Sequence, residues 1–592
     1  MFEKEYRNQK VLLFIVMVFI IGFTFQHCLP EKNGISFQEG QNYCIANASE
    51  KIEQNPYQTV HYRSDKIKKE LIEVPFIIAF YNSFCLLLNL DEITLETNQV
   101  NSGTKKWLNS DYYTNALAVS DISGVHYGQA IKNCILSQKS PFYYCILYTF
   151  SAIFGYFQLY YLGFIINSIF WLISSFLLLS IAKRYLHASW AGVAAVLLFS
   201  LSNGCRFLAL NATPYFMLLF FVLVSVELHL STLYRKQFPA FLCISMIIVT
   251  TLAILTDYAY LLFGAAIGVC FCLALLLQGR YKDILHYLCQ SIFSLIVVAL
   301  IYPAFVLHIG TFCKKYYANL TAFSFIVFKR NAMNNLIQIK NLFLTHTIFF
   351  VFSLTALLVL VAFCSKRKIL RQNFVAFLRK VRGGTDADVF IAALQVVFFL
   401  VLTAVTVFAD VEIDFVLFSF LPVTVLLFAY LIYRLFSAVI SSAYNSGVLS
   451  VVSILVICFL NLFSTPTSYI YGKNTMQTVL AKAHQQEYCI FLVSPEVQKE
   501  DYISELQTYE HSLILNKDNI KSLKNNKTFL IQDSMLVYLT EEEYINATID
   551  KIARIGKFNL TEEVSKYQNA QKKQVHIYKL RRMGRQGVTV RR

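Results

Sequence analysis

Long apolar runs, separated by shorter polar stretches, dominate the pattern of this sequence. An α-helix rises 1.5 Å per residue, so about 20 apolar residues cross the hydrocarbon core of a bilayer. By that measure the pattern predicts about eleven transmembrane helices. We expect them near residues 11–28, 158–181, 189–204, 214–233, 238–256, 259–278, 286–308, 346–364, 388–409, 415–436 and 446–466.

Two long polar intervals, residues 29–157 and 309–345, interrupt these apolar runs. The first interval is far too long for a simple connector, so we expect it to contain juxtamembrane helices of its own. The apolar stretch Val74 to Leu90 lies within it, and Asn82 and Ser83 interrupt that stretch. We therefore predict an interfacial helix there and not a further membrane span.

The region after the last apolar run has the pattern of a soluble domain. The segments "YCIFLVS", "KTFLIQ", "SMLVYLT" and "QVHIYKL" are short and apolar or alternating, which predicts strands. The segment "EEEYINATIDKIARIG" has the spacing of an amphipathic helix. Together they predict a small α/β domain at the C-terminus.

The composition indicates the class of protein, and the charges of the loops indicate the orientation of the chain in the membrane. The chain is 56% hydrophobic and only 15% charged, which excludes an ordinary soluble protein of this length. Its net charge of +16 does not indicate nucleic-acid binding, because the basic residues crowd particular loops. With a cytoplasmic N-terminus, the inside loops contain Lys183, Arg235 and Arg280 with their basic neighbours, as the positive-inside rule requires. The first apolar run lacks a small-residue cleavage site, so we predict a retained helix and not a signal peptide.

These observations predict an α-helical polytopic membrane protein with a small extracytoplasmic α/β domain at its C-terminus. The predicted segments are the N-terminal tail and first transmembrane helix (1–28), an extracytoplasmic loop with juxtamembrane helices (29–157), transmembrane helices 2–7 (158–308), a second extracytoplasmic loop (309–345), transmembrane helices 8–11 (346–470) and the extracytoplasmic domain with its basic tail (471–592).

The cysteines do not predict a metal site. Most of the 14 cysteines lie inside apolar runs, where cysteine acts as a small hydrophobic residue. No cysteine pair has metal-ligand spacing with histidines, so no cofactor is predicted, although a divalent metal stays open. A single disulfide also stays open among the cysteines of the first extracytoplasmic region, which are Cys28, Cys44, Cys85 and Cys134.

An aromatic helix is predicted just before the second span, in "KSPFYYCILYTFSAIFG" from Lys139 to Gly155. Pro141 suits the first turn of a helix, and tyrosines favour the headgroup layer of a bilayer. This helix and five other segments resemble, in the same order, those of the GT-C membrane glycosyltransferases, especially the bacterial relatives of protein O-mannosyltransferases. The other segments are "FQEGQNYCIANAS", "VHYGQAIKN", the stretch from Leu197 to Lys236, "LTDYAYLLF" and "DFVLFSFLP", and the resemblance covers most of residues 11–470.

The resemblance implies a GT-C-like fold and the transfer of a sugar from a polyprenyl-phosphate donor to a glycan, lipid or protein acceptor outside the cytoplasm. It also implies a bacterial plasma membrane as the location. Several polar positions of the family pattern are replaced, however. Gln38 occupies the place of the family's catalytic aspartate, and Asp257 that of a histidine. The family's Asp-x-His-Pro-Pro is Ser137 to Pro141 here, and its late Arg-Tyr is Asp414-Phe415.

The implied chemistry selects the candidate residues. A carboxylate must accept the proton of the attacking hydroxyl, which points to Glu39 and Asp257 as catalytic candidates. Cations must stabilise the departing phosphate, which points to Lys139 and Arg206. The candidate substrate-binding residues are Gln38, Tyr43, Tyr143 and Tyr144.

Each candidate also has a purely structural interpretation. Glu39 fits a solvated loop acid, Asp257 a helix end, and Lys139 and Arg206 an anchor to lipid headgroups. Two alternative functions stay open as well. The first is a catalytically silent protein that binds a lipid-linked sugar or a partner enzyme, because the catalytic aspartate of the family is absent. The second is a lipid or glycan transporter, which the nearly uncharged interiors of the spans disfavour.

Overall fold

A computed structural model describes the chain over residues 2–29, 37–47, 107–115, 117, 119, 127–155, 159–235, 238–310, 325–343, 387–408, 421–440, 442–464, 480–481, 483–493, 502–540, 545–568 and 574–582. The predicted span 346–364, the apolar stretch Val74 to Leu90 and the Asp414-Phe415 pair lie outside these residues. Two compact units are distinguished. Unit 1 comprises Met1–Pro30, Gln138–Tyr143 and Gly163–Ile470, and unit 2 comprises Glu31–Ser137, Tyr144–Leu162 and Tyr471–Arg592.

Helices account for nearly all of the described part of unit 1. Leucine, isoleucine, valine and phenylalanine fill their sequences, and proline or polar residues mark most of their boundaries. The helices before the C-terminal domain, in both units, are α1 (Phe2–Phe23, continued by a π-helical turn Thr24–Cys28), α2 (Phe37–Asn47), α3 (Ser110–Asn115), α4 (Tyr127–Leu136), α5 (Pro141–Phe154), α6 (Leu159–Tyr185), α7 (Ser189–Leu201), α8 (Asn203–Leu210), α9 (Tyr215–Tyr234), α10 (Ala240–Thr256), α11 (Tyr260–Leu277), α12 (Tyr281–Ile301), α13 (Phe325–Phe343), α14 (Ala387–Phe408), α15 (Leu421–Val439) and α16 (Ala443–Ser464).

Six described helices are long and apolar enough to cross a membrane, and a seventh span results if the bent pair α7 and α8 is counted as one. The six lie in α1 with its π-helical turn, α6, α9, α11, α12 and α14. Three further predicted spans coincide with the shorter apolar helices α10, α15 and α16. Many large apolar side chains on these helices are exposed, for example Phe19, Ile248 and Ile292. Exposure of this extent marks a surface that faces lipid, so the protein is an integral membrane protein.

The third predicted span is broken, which the apolar pattern did not reveal. Its halves α7 and α8 meet at 57° around Ser202. Ser202 has an extended backbone, and its Oγ accepts a hydrogen bond from the backbone N–H of Cys205 (3.2 Å), so it caps the start of α8. A capped start satisfies amide groups that an apolar environment would otherwise leave without partners.

The far end of α8 is satisfied by a side chain of another helix. Asn167 in α6 donates its Nδ2 to the carbonyl oxygens of Leu208 and Asn211, both at 2.7 Å. Gly163, one turn earlier in α6, lies against Ala212. A single carbon added at Gly163 would come within 2.6 Å of the Cβ and 2.7 Å of the Cα of Ala212. The close approach of α6 therefore holds the broken span in place.

Unit 2 contains a five-stranded sheet with the order β2-β1-β3-β5-β4. Strands β1, β2 and β3 are parallel, and β5 and β4 continue the sheet in antiparallel pairing. The elements of this domain are β1 (Tyr488–Val493), α17 (Ile503–Leu506), β2 (His511–Asn516), a 3₁₀ helix (Lys517–Asn525), α18 (Lys527–Ile531), β3 (Ser534–Thr540), α19 (Ile545–Gly556), β4 (Leu560–Gln568) and β5 (Gln574–Arg581).

The predicted α/β domain is confirmed, with one element wrong, and with two strands, α17 and the 3₁₀ helix missed. The segments around β1, β3, α19 and β5 have the predicted type. The segment "KTFLIQ" was predicted as a strand but forms the short helix α18, because Asn526 caps its start by accepting the N–H of Phe529 (3.1 Å). Strands β2 and β4 were not predicted, since β4 is rich in charged residues and polar residues flank the short apolar run of β2, Leu513 to Leu515.

Both faces of the sheet are covered within unit 2. One face packs on α19 in an apolar core that includes Val537, Ile552 and Phe529. On the other face the rings of Phe491 and Tyr538 stack at 4.6 Å. The first predicted loop also joins this domain. Leu108 exchanges backbone hydrogen bonds with Ser512 of β2 (2.9 Å each), and Trp107 donates its Nε1 to Asn526 Oδ1 (3.1 Å).

Candidate functional site

A sharp turn at Asp257 separates α10 from α11. Asp257 ends α10 with an extended backbone (φ −159°), and its Oδ1 accepts a hydrogen bond from the backbone N–H of Ala259 (2.8 Å). A carboxylate that bonds its own chain two residues ahead forms an Asx turn, which lets the chain reverse within three residues. The sequence Asp-Tyr-Ala thus presents a carboxylate at the end of two apolar helices.

The segment that precedes α5 is fastened to the same end of these helices. Ser140 donates its Oγ to the carbonyl oxygen of Ile254 in the last turn of α10 (2.9 Å). Tyr302, directly after α12, donates its hydroxyl to the carbonyl oxygen of Lys139 (3.1 Å). Lys139 is therefore held near Asp257, and the two side chains interact electrostatically.

The pKa of Asp257 is raised above its ordinary value of 3.8. Burial is the main cause, and it outweighs the backbone N–H of Ala259 and the positive charge of Lys139, which both lower the pKa. A carboxylate with a raised pKa is a stronger base than an ordinary aspartate once it is ionised. Lys139 itself is exposed, so its ammonium group is accessible to a ligand.

Aromatic and histidine side chains surround this pair. The hydroxyl of Tyr258 lies 2.8 Å from Nδ1 of His308. The His308 ring centre lies 5.8 Å from that of Tyr258 and 5.9 Å from that of Tyr302. Tyr215, at the start of α9, is close enough to Asp257 to interact with its charge. These four residues, together with Lys139 and Asp257, are called the Asp257 cluster below.

The sequence had indicated only two members of the Asp257 cluster. Lys139 and Asp257 were predicted as site residues, and the structure brings them together. Tyr302 and His308 were missed because they follow a long apolar run and have no motif around them. Tyr258 adjoins Asp257 in the sequence, and that adjacency was the signal that could have identified it.

Arg206 lies on a different element, the short helix α8 of the broken span. It is buried, and its Nη2 donates to Oδ1 of Asn203, the first residue of that helix (2.9 Å). This bond folds the guanidinium back toward the start of α8. A buried cation near a helix start is suited to binding an anion. Binding of the donor phosphate by Arg206 stays a prediction.

The remaining candidates belong to unit 2, except for Tyr143. Glu39 stands in the first turn of α2 and is buried, and the side chain of Gln38 lies outside the described residues. Tyr144 donates its hydroxyl to Oδ1 of Asn42 in α2 (2.9 Å).

The aromatic candidates are all packed inside. Tyr43, Tyr143 and Tyr144 are exposed by 1% or less. Their rings are parts of the core. A stacking platform for a sugar needs an open ring face, and these rings do not offer one in this arrangement. Substrate binding by these three residues stays a prediction, as does the catalytic role of Glu39.

No group of three or more histidine, cysteine, aspartate or glutamate side chains is placed to hold a metal ion within the described part of the chain. The Asp257 cluster itself offers several groups that can take part in chemistry. These are a carboxylate base, an accessible ammonium group, and tyrosine and imidazole hydrogen-bonding groups.

No protein-family model matches this chain, and no curated protein matches it. Among solved structures, two crystal structures of one protein are similar to this chain. ArnT from Cupriavidus metallidurans bound to undecaprenyl phosphate has a TM-score of 0.41 and 10% identity, covering 85% of this chain and 98% of that one. The apo state of the same protein has a TM-score of 0.40 and 10% identity, covering 86% and 98%.

Proposed function

We propose that this chain is a GT-C-like membrane glycosyltransferase that transfers a sugar from a polyprenyl-phosphate donor to an acceptor outside the cytoplasm. The observation that carries the proposal is that Ser140 and Tyr302 fasten the segment of Lys139 to the end of apolar helices at which Asp257 lies. Such a reaction needs a base and a phosphate-binding cation in one place, next to apolar surface for the lipid tail. The narrower resemblance to relatives of protein O-mannosyltransferases is part of the same proposal.

Each member of the pair has one role. Asp257 accepts the proton of the acceptor hydroxyl as the hydroxyl oxygen attacks the anomeric carbon of the sugar. The bond between that carbon and the phosphate oxygen breaks, and polyprenyl phosphate leaves as an anion. Lys139 stabilises the negative charge of the departing phosphate. Attack from the face opposite the phosphate inverts the configuration of the sugar.

Glu39 stays the alternative candidate for the base, and Arg206 stays the alternative candidate for the phosphate-binding cation. Each of them is buried, which supports a functional environment but limits access. Gln38, Tyr43, Tyr143 and Tyr144 stay candidates for substrate binding. The Glu39→Gln variant below tests the alternative base.

The decisive experiment is a transfer assay with the purified full chain. The substrates are radiolabelled polyprenyl-phosphate sugars and membrane extract as a source of acceptors, and released polyprenyl phosphate is measured. We expect Asp257→Asn to lower turnover by a factor of about 100 or more, as loss of a general base does. We expect a factor of about 100 for Lys139→Gln, as loss of a group that stabilises transition-state charge does. Asp550→Asn and Lys551→Gln, at exposed positions of α19, are the matched controls and should leave turnover unchanged.

Other outcomes of this assay would change the assignment. Full activity in Asp257→Asn with loss in Glu39→Gln would transfer the base role to Glu39. Lack of turnover with every donor tested, by the wild-type protein, would overturn the proposed reaction.

A silent protein that binds a lipid-linked sugar is the second candidate. Its support is the Asx turn at Asp257, because the bond to the Ala259 N–H is by itself a reason for an aspartate there. The replacement of the family's aspartate by Gln38 supports it as well. Saturable binding of polyprenyl-phosphate sugar without turnover would favour this candidate over the enzyme.

We also propose a bacterial plasma membrane as the location, with the N-terminus in the cytoplasm and residues 29–157, 309–345 and 471–592 outside it. The basic residues that end α6 and α9 and precede α12 support this orientation. The test is a set of reporter fusions after Arg184, after Asp257 and after Arg582. Periplasmic reporter activity at the first position, or its absence at the other two, would reverse the orientation.

A further inference from the structure

Three helix ends in unit 1 are tied together at one surface. Tyr234, at the end of α9, donates its hydroxyl to the carbonyl oxygen of Tyr185, at the end of α6 (3.2 Å), and their ring centres are 5.4 Å apart. Arg280, just before α12, donates Nη1 to the carbonyl oxygen of Thr232 in α9 (3.2 Å). The end of α6, the end of α9 and the start of α12 therefore form one continuous surface.

Basic side chains outnumber acidic ones at these three ends. Arg184 pairs with Glu227 (2.7 Å), and Arg280 pairs with Asp283 (2.6 Å), so both acids are neutralised. Lys183, Arg235 and Lys282 add three further positive charges. We call the set Lys183, Arg184, Arg235, Arg280 and Lys282 the basic surface, and with its two acids it has a net charge of +3.

Three groups of the basic surface are exposed, those of Arg184, Arg235 and Lys282, whereas Lys183 and Arg280 are half-buried. Arg235 and Lys282 are exposed, and the guanidinium carbon of Arg235 lies 5.1 Å from the ring centre of Phe241. Tyr234 and Tyr281 are 44% and 67% exposed. Exposed tyrosines at the ends of membrane helices lie at the level of lipid headgroups, so the basic groups lie at that level too.

We propose that the basic surface binds the headgroup phosphates of anionic phospholipids, with Arg235 and Lys282 as the principal contacts. The phosphodiester of such a lipid is an anion at headgroup depth, and arginine and lysine both bind phosphate. A zwitterionic lipid has the same phosphate, but its own cation competes with the protein for it. The inference does not depend on the proposed enzymatic reaction, because the surface lies on the opposite ends of α9 and α11 from Tyr215 and Asp257.

The test measures thermal unfolding of the purified full chain in a neutral detergent as lipid is added. A ligand that binds only the folded state raises the unfolding temperature, and the rise grows with the ratio of ligand concentration to Kd. We expect phosphatidylglycerol to raise it and phosphatidylcholine to leave it nearly unchanged. Removing a basic residue near anionic lipid weakens binding about fivefold. The Arg235→Gln/Lys282→Gln variant should therefore need roughly 25 times more phosphatidylglycerol for the same rise.

Three controls keep the result specific. The Lys329→Gln/Arg330→Gln variant removes two exposed basic residues of α13 and should respond like the wild-type protein. The charge-preserving variant Arg235→Lys/Lys282→Arg should retain most of the response, even if the glutamine variant fails to fold. Inorganic phosphate at the same concentration should have no effect, because it lacks an acyl chain to hold it at headgroup depth.

Several results would overturn the inference. One is an equal response of the wild-type protein to phosphatidylglycerol and phosphatidylcholine. Another is an unchanged response in the glutamine variant, or an equal loss in the α13 control. Stabilisation by inorganic phosphate alone would reassign the surface from a lipid headgroup to a free anion.

Discussion

Tyr302 holds Lys139 by its backbone and not by its side chain, through a 3.1 Å hydrogen bond from the tyrosine hydroxyl to the lysine carbonyl oxygen. Tyr302 is buried, although the bond itself is only partly shielded from water. The ammonium group of Lys139 stays free to face a ligand while the start of its side chain is fixed. Fixing a binding group in advance lowers the entropic cost of engaging the ligand.

Replacing Tyr302 with phenylalanine should therefore weaken donor binding without removing any group that contacts the donor. One lost hydrogen bond of about 1 kcal/mol corresponds to a roughly fivefold increase in KM for the lipid-linked donor. We expect kcat to change little, and steady-state transfer kinetics measure both parameters. Tyr444→Phe, at an exposed position of α16, is the matched control. An unchanged KM in Tyr302→Phe would show that Lys139 does not need this bond.

The acid limb of the pH profile of kcat/KM for the transfer reaction should lie above pH 3.8. The pKa of Asp257 is raised above that value, and only the ionised carboxylate accepts a proton. Lys139 lowers that pKa, so removing its charge should raise the pKa further. Lys139→Gln should thus shift the acid limb of kcat/KM to higher pH, in addition to lowering the plateau. Lys139→Arg retains the charge and should leave the limb in place. A shift in the opposite direction in Lys139→Gln would contradict the assignment of Asp257 as the base.

The structural and catalytic roles of Asp257 should separate in two substitutions. Asparagine retains the oxygen that accepts the Ala259 N–H, so Asp257→Asn should fold with nearly wild-type stability. Alanine removes the acceptor, and Asp257→Ala should lose about 1 kcal/mol of folding free energy. Both variants should lose transfer activity. Thermal unfolding and the transfer assay, performed on the same preparations, check the two expectations, and an active Asp257→Asn would leave the residue with a turn-forming role alone.

Gly163 should tolerate no side chain. An added Cβ would lie 2.6 Å from Cβ and 2.7 Å from Cα of Ala212, and the backbone there is fixed by Asn167. We expect Gly163→Ala to destabilise the protein by about 1–3 kcal/mol, the usual cost of overpacking. Gly22→Ala is the matched control, since nothing lies within 4 Å of a carbon added there. Equal stability of the two variants, measured by thermal unfolding in detergent, would mean that α6 can move away from residue 212.

Glu487 should make the C-terminal domain sensitive to acid. Burial alone would raise its pKa, but hydrogen bonds from Lys579 (2.5 Å) and His484 (2.8 Å) outweigh that effect, and the pKa falls below its ordinary value of 4.5. The stabilisation is therefore present above pH 4.5 and is lost as the pH falls through the lowered pKa of the folded state.

Glu487→Gln should cost about 1 kcal/mol at pH 7, a modest value because the pair is partly exposed. The cost should vanish at low pH, where the wild-type carboxylate is protonated. Unfolding of the full chain followed by the fluorescence of Trp107, which packs on Tyr488, measures both quantities. Glu510→Gln is the control, and a pH-independent difference between Glu487→Gln and the wild-type protein would reject the mechanism.

Apolar periodicity predicted the helices well where burial alone determines structure. Segments such as α9 and α11 are continuous apolar runs of nearly the predicted length, so the bilayer criterion locates them. The break at Ser202 was not predictable in this way, because the run continues through it and the cap depends on a single hydroxyl. The helix α18 illustrates the same limit, since Asn526 overrides the strand preference of the apolar residues that follow.

The candidate site was predictable only in part, for a related reason. Charged residues beside apolar runs are conspicuous, and Lys139 and Asp257 were identified on that basis. Tyr302 and His308 join them through hydrogen bonds and ring contacts that link distant parts of the chain. Sequence patterns report local periodicity, and they do not report which helix ends meet.

The amide of Asn167 has a consequence for the order in which this protein assembles. The carbonyl groups that end α8 find their donor on α6, which is synthesised earlier. If α8 left the translocon without the amide of Asn167, the carbonyl oxygens at its end would face lipid without a hydrogen-bond donor. Each such group costs several kcal/mol. Insertion of α6 should thus act as a template for the bent segment, so that Asn167→Leu impairs membrane integration of the chain during its synthesis.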